Sequence, residues 1–330
     1  MFEFGELRTK EEWAQTMLPD QVDSTDLDET EQITRAAWHY YNDGLTQNRI
    51  AEMLGTSRIK VSRLLEKGRQ SGLIELRINS PYAGCLELQQ ELIDAFGLVD
   101  ARVVPTAADL PPAPRIGRAA ASLLIQNLEP NDLFAIGWGE TTATTLRYMA
   151  PIFPQTEISI VSLTGGVSAY IGTTGLYGPQ NSAHLIPTPL RVSSAELAEM
   201  LRVEPFVRNV LDMAATARFA LIGVGAVTSS ATLVQYGYCS SGEIELFKRR
   251  GAVGDVLGYF YDAEGQILDL DLHRLVVAVC PDDLRKIPNV AAAAAGAHKV
   301  EAILGALRGK LTNILVTDED TATELLRRQE

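Results

Sequence analysis

Gln47-Asn-Arg-Ile50-Ala51-Glu-Met-Leu54-Gly55-Thr-Ser57-Arg58-Ile59-Lys60-Val61-Ser62-Arg63-Leu64-Leu65 holds two helical patterns divided by a three-residue break. Ile50, Ala51 and Leu54 recur at helical spacing before the break, and Val61, Leu64 and Leu65 do so after it. Gly55 frees the turn, and the Ser57 hydroxyl is placed to accept from the backbone of the second helix. Two short helices joined by a glycine-containing turn are the layout of a helix-turn-helix.

In that layout the second helix enters the major groove, and residues near its start reach base edges. Arg63 is the leading candidate for a bidentate contact to guanine. Arg58 and Lys60 suit bases or phosphate, and Ser62 and Lys67 share the polar side. Ile59 suits a thymine methyl or packing on the neighbouring helix. Thr46, Gln47 and Ser57 suit phosphate contacts at helix starts. A plain helical bundle with a solvated basic face is the bland alternative.

Charge supports the sharper reading. The 330-residue chain has a net charge of −13, the wrong sign for a DNA-binding protein until its distribution is examined. Residues 1–45 carry −8, residues 46–80 carry +4 and the remainder −9. A single short basic stretch in an acidic protein favours phosphate contact at one face and discourages it elsewhere. The 330 residues allow two domains. Cys85, Cys239 and Cys280 and the four histidines have no ligand or redox spacing, so no metal or cofactor is expected. No apolar run reaches the length of a membrane span and the start is acidic. A cytoplasmic protein that does not engage membranes is expected.

Beyond the helix-turn-helix, residues 73–78 suggest a short wing, and Ser80-Pro81 with Gly84 suggests a break. An acidic extension occupies the first 30 residues, with a short helix around 11–17. A helix is predicted near 86–96, either a linker or the first element of the next domain. Strands are predicted at 101–105, 133–137, 158–164, 219–224, 275–280 and 313–317. Helices are predicted at 115–127, 141–149, 195–201, 205–215, 299–307 and 321–329. That alternation argues for a parallel sheet with helices on both faces. The alanine run 291–295 is read as tight packing. The fold class is α/β: a winged-helix-like helix-turn-helix domain over residues 1–80 and a larger Rossmann-like domain over 81–330.

Leu133-Phe-Ala-Ile-Gly137-Trp138-Gly139-Glu140-Thr141-Thr142 runs from an apolar strand into a helix start, a competent phosphate cradle and equally a tight turn. It lacks the third glycine of a dinucleotide fingerprint and the Gly-Lys-Ser/Thr of a P-loop. Gly165-Gly166 and Gly223-Val224-Gly225 end two further strands, where an α/β sheet opens its crevice. Lys299 falls near another helix start, where an anionic partner would explain a cation; a plain exposed lysine is the bland alternative.

These motifs, in this order, resemble the SorC family of bacterial transcription regulators. The resemblance runs through Gly44–Arg77, Gly137-Trp-Gly-Glu-Thr-Thr142, Gly254-Asp255-Val-Leu-Gly-Tyr-Phe-Tyr-Asp262, Lys299…Ala302-Ile…Ala306-Leu-Arg-Gly309 and Leu315-Val-Thr-Asp-Glu319. It implies an effector domain similar in fold to sugar-phosphate isomerases and deaminases but acting as a sensor. It also implies a phosphorylated sugar or polyol effector, operator DNA as partner, and a homo-oligomer, dimer or tetramer. Gly137, Gly139, Glu140, Thr141, Thr142 and Lys299 would hold the phosphate, Gln180 would contact the sugar, and Asp255 lies in a family motif. Here Gly296 is followed by Ala297, where the family often has a second glycine before the lysine.

Two other functions stay open at this stage. A sugar-phosphate isomerase or deaminase with a DNA-binding extension would need a general base, for which Asp255, Asp269, Asp271 and His273 are candidates. A constitutive DNA-binding scaffold would show no effector response.

Overall fold

The computed structural model describes residues 24–76, 80, 82–107, 111–166 and 182–329. The predicted helix around 11–17, most of the acidic extension and Gln180 lie outside the described residues. The chain divides into two compact units at Asn79/Ser80.

The N-terminal unit contains α1 (Ser24–Ala37), a π-helical turn (Trp38–Asn42), α2 (Gln47–Met53) and α3 (Arg58–Gln70). Thr46 Oγ1 accepts from Arg49 N at 3.3 Å and Ser57 Oγ accepts from Lys60 N at 3.2 Å. Each cap satisfies a donor that its helix leaves free. Gly55 turns the chain at φ +61°, a conformation that penalises a β-carbon. Ile33 and Ala36 of α1, Ile50 and Ala51 of α2, and Val61, Leu64 and Leu65 of α3 form one buried cluster. Residues 73–76 adopt no strand, and residues 77–79 of the predicted wing lie outside the described residues.

The second unit opens with α4 (Ala83–Phe96), so the predicted break at Gly84 falls inside a helix. β1 (Asp100–Val104), α5 (Pro112–Asn127), β2 (Leu133–Ile136), α6 (Glu140–Met149), β3 (Ser159–Ser162) and β4 (Ala183–His184) follow. Next come α7 (Ala195–Val203), α8 (Pro205–Ala215), β5 (Phe219–Ile222), β6 (Gly225–Ala226), α9 (Thr232–Gln235) and α10 (Ser241–Arg249). The chain then forms β7 (Gly254–Val256), β8 (Tyr259–Tyr261), α11 (Asp271–Arg274), α12 (Pro281–Leu284) and β9 (Asn289–Ala293). It ends with α13 (Val300–Arg308), β10 (Ile314–Asp318) and α14 (Glu319–Arg327).

Seven strands form a parallel sheet in the order β1-β10-β9-β5-β2-β3-β4. Successive residues alternate between two apolar cores. Phe219 and Leu221 of β5 join one, while Ala220 and Ile222 join the other. A sheet covered on both faces needs continuous apolar strands, which these are. β6, β7 and β8 form a small antiparallel sheet.

Two strand assignments differ from expectation. Residues 275–280 contribute isolated bridges, Arg191 to Val276 and Thr164 to Ala278, instead of a sheet strand. Val277 N donates to Leu190 O, and Val279 N donates to Leu163 O. The segment therefore stitches together two loops, and its apolar character comes from burial between them. Conversely, the alanine run supplies β9, paired with both β5 and β10.

The chain leaves β2 towards β3 and β4 on one side, and leaves β5 towards β9 and β10 on the other. β2 and β5 are neighbours. The crevice beyond their carboxyl ends is therefore the topological switch point, where open α/β sheets bind ligands.

Candidate functional site

In the N-terminal unit, the four residues α3 turns inward are Val61, Leu64, Leu65 and Gly68. Arg58, Ile59, Lys60, Ser62, Arg63 and Lys67 are all exposed, so the predicted contact residues share the solvent side of one helix. Ile59 is 67% exposed, which removes packing within this unit as its explanation. Thr46 and Ser57 serve as helix caps, while Gln47 opens α2, half-buried. Lys67 is already engaged, its Nζ lying 2.6 Å from Glu29 Oε2 on α1. Arg69, not singled out from sequence, is also exposed and reaches Tyr41 Oη at 3.5 Å.

In the second unit, a cavity of about 200 Å³ occupies the switch point. Its floor is Trp138-Gly139-Glu140-Thr141 after β2 and Gly223-Val224-Gly225 after β5. Asp255, Leu257 and Gly258 from the small sheet close one side, and His298 and Lys299 close another. Gly139 has φ +147° and makes no side-chain cap to α6, so the N-cap residue offers the first-turn N–H groups of this helix no side-chain acceptor. Lys299 ends a 3-10 turn leading into α13.

A cation and two carboxylates share this cavity, Lys299 with Asp255 and Glu140. Burial holds the Lys299 ammonium below its ordinary pKa, opposed by the charges of Asp255 and Glu140. Among the described residues Lys299 forms no ion pair. Burial raises the Asp255 carboxyl to about 6, against the Gly258 N–H and the charge of Lys299. Asp255 Oδ2 accepts from Gly258 N at 3.3 Å. Burial and the neighbouring Lys299 both lower the His298 pKa.

Of the effector residues expected from sequence, Gly139, Glu140, Thr141, Asp255 and Lys299 line this cavity. Gly137 and Thr142 stand behind its wall. Gly137 N donates to Leu221 O at 2.8 Å, and Thr142 is fully buried, its hydroxyl without a hydrogen-bond partner among the described residues. Sequence reasoning missed the opposite wall, where Thr228, Ser230, Thr232 and Gln235 supply hydroxyls and an amide. The signal was present in Gly225 followed by a Ser/Thr-rich stretch. It also missed Trp138, which meets Tyr236 and Tyr238 edge-on at 5.2 and 5.5 Å.

The candidates for a general base behave differently. Asp269, Asp271 and His273 do not line the cavity. His273 Nε2 accepts from Phe260 N at 2.9 Å, and burial lowers its pKa to about 4. It is a neutral structural acceptor. Residues 271–274 form a short helix.

Residues 80–327 match the family model described as "Putative sugar-binding domain", and residues 29–82 match a Crp-like helix-turn-helix domain. The chain is 45% identical over 303 residues to the transcriptional regulator LsrR of Enterobacter sp. (strain 638), covering 91% of this chain and 94% of that protein. It is 42% identical over 302 residues to LsrR of Escherichia coli (strain K12 / DH10B), covering 91% and 95%. The full-length sorbitol operon regulator SorC from Klebsiella pneumoniae superposes with a TM-score of 0.66 at 28% identity, covering 91% of this chain and 99% of that one. Its relatives are regulators and not enzymes. With both domain types in place and its full-length relatives matched nearly end to end, the chain belongs to the SorC/DeoR family of sugar-binding transcriptional regulators and is LsrR-like.

Proposed function

We propose that the chain regulates a carbohydrate or polyol catabolic operon in the cytoplasm, its operator binding controlled by a phosphorylated sugar or polyol. The observation that carries this reading is Lys299, a half-buried ammonium without an ion pair among the described residues, lining the same cavity as the start of α6, whose N-cap residue Gly139 has no side chain. A cation and free backbone donors converging on one cavity suit a phosphate ester. Gly139, Thr141 and Lys299 surround the ester, with Gly137 and Thr142 supporting that wall from behind and the Glu140 carboxylate turned to the sugar hydroxyls. Asp255 and Gln180 take the sugar hydroxyls.

Residues 1–80 act as the DNA-binding domain and 81–330 as the effector and oligomerisation domain. Thr46, Gln47, Ser57, Arg58, Lys60, Ser62, Arg63 and Lys67 contact operator DNA. The chain works as a homo-oligomer, because such heads engage paired half-sites. Effector shifts the population between quaternary arrangements that space these heads differently.

A thermal-shift screen of matched phosphorylated and unphosphorylated sugars and polyols tests the reading. Selective stabilisation by a phosphate ester, followed by a change in operator affinity, is expected. A flat response across both sets overturns the phosphorylated-effector assignment and leaves the DNA-binding one standing.

A further inference from the structure

The exposed side of α3 is organised in three lanes. At about 100° per residue, its inward residues Val61, Leu64, Leu65 and Gly68 cluster around one direction. Ile59 lies almost diametrically opposite that cluster. Arg63 and Glu66 follow it along the same central lane, while Ser62 falls towards the flank of Arg58 and Arg69. Lys60 and Lys67 fall on one flank, and Arg58 and Arg69 on the other. An aliphatic side chain thus heads a lane bracketed by cations on both sides.

That arrangement matches the cross-section of a major groove, whose floor of base edges lies between two phosphate backbones. The flanking cations are placed for the two backbones, and the central lane for the floor. Glu66 lies towards the carboxyl end of the lane, where its charge opposes close approach to phosphate. Helix α3 therefore enters by its first turn, the turn that carries Ile59. An exposed isoleucine there has one apolar partner on a base edge, the C5-methyl of thymine.

Resting on the DNA-binding reading above, the geometry points to Ile59 as a specificity-determining residue that reads a thymine methyl in each operator half-site, beside the base read by Arg63.

The test uses the purified full-length chain and a duplex selected by it from a random-sequence library. Each thymine in a half-site is replaced by deoxyuridine, which removes only the methyl. At one thymine per half-site the replacement weakens parent binding about fourfold, the value of one buried methylene-sized group. Ile59→Ala loses a similar factor on the thymine duplex and nothing further on the deoxyuridine duplex. Ile59→Val, which keeps a branched aliphatic, retains the discrimination.

If no deoxyuridine replacement weakens the parent, or if Ile59→Ala and deoxyuridine act additively, the assignment of Ile59 is overturned while DNA binding stands. A library that yields no enriched duplex overturns both readings together.

Discussion

Gly225 and Asp255 are register partners in the small antiparallel sheet, and a β-carbon on Gly225 would lie 1.9 Å from Asp255 Oδ1. The bare glycine is therefore what admits the carboxylate to the cavity. Gly225→Ala is expected to displace Asp255, weaken effector binding at least tenfold and destabilise the domain by about 1–3 kcal/mol. Gly242→Ala is the control, since it does not line the cavity and its nearest neighbour would be Ser240 Oγ at 4.0 Å. Calorimetric titration with the effector distinguishes the two.

Lys299→Ala should weaken the response to phosphorylated effector about 10- to 100-fold, the range for a lost hydrogen bond to a charged group. Basal operator affinity should stay within a factor of two. Dose–response curves in a DNA-binding assay measure both, and curves overlapping the parent's would remove Lys299 from the site.

Two buried groups pull the pH dependence of stability in opposite directions. Asp255 titrates near 6 in the fold, above its ordinary 3.8, so its contribution is full below pH 3.8 and is lost as pH rises through 6. His273 titrates near 4, below its ordinary 6.5, so its contribution is full above pH 6.5 and is lost as pH falls through 4. Each is worth about 3 kcal/mol at its limit, and in the parent they largely cancel between pH 4 and 6. Asp255→Asn removes one arm, so its stability should rise with pH across that window. Denaturant melts at stepped pH read the slope.

The ion pair between Lys67 and Glu29 restrains a cation on the DNA-facing helix. Glu29→Gln should tighten DNA binding and steepen the dependence of log affinity on log salt by about 0.9, one additional phosphate contact. Fluorescence anisotropy over a salt series measures the slope.

Arg63→Ala should cost specific operator binding about 1–3 kcal/mol and leave effector affinity unchanged. Equal losses in both assays would count against separable functions.

The helix-turn-helix was legible because its information is local. Gly55, the Ser57 cap and the spacing of Val61, Leu64 and Leu65 lie within eleven residues, and the same features hold the unit together. The sheet was legible where apolar runs ended in glycines. It was obscured at 275–280, an equally apolar run whose bonding partners are loops, because sequence records burial but not what lies alongside. The cavity was read from two of its walls. The Thr228–Gln235 wall was missed because hydroxyl side chains in a turn have no periodicity. Their position opposite Gly139 follows only from the adjacency of β2 and β5.

The alanines of β9 lie on the same run of chain as Lys299. Ala291, Ala292 and Ala293 have no accessible surface and fill the middle of the sheet with methyl groups, between β5 and β10. The strand then runs through Gly296, whose N–H donates to Thr321 Oγ1, directly into the turn that carries Lys299. Added volume at these alanines has nowhere to go without moving the strand or the core residues packed against it. A larger side chain in β9 is expected to shift the turn of Lys299 and with it effector affinity, while every residue that lines the cavity keeps its identity.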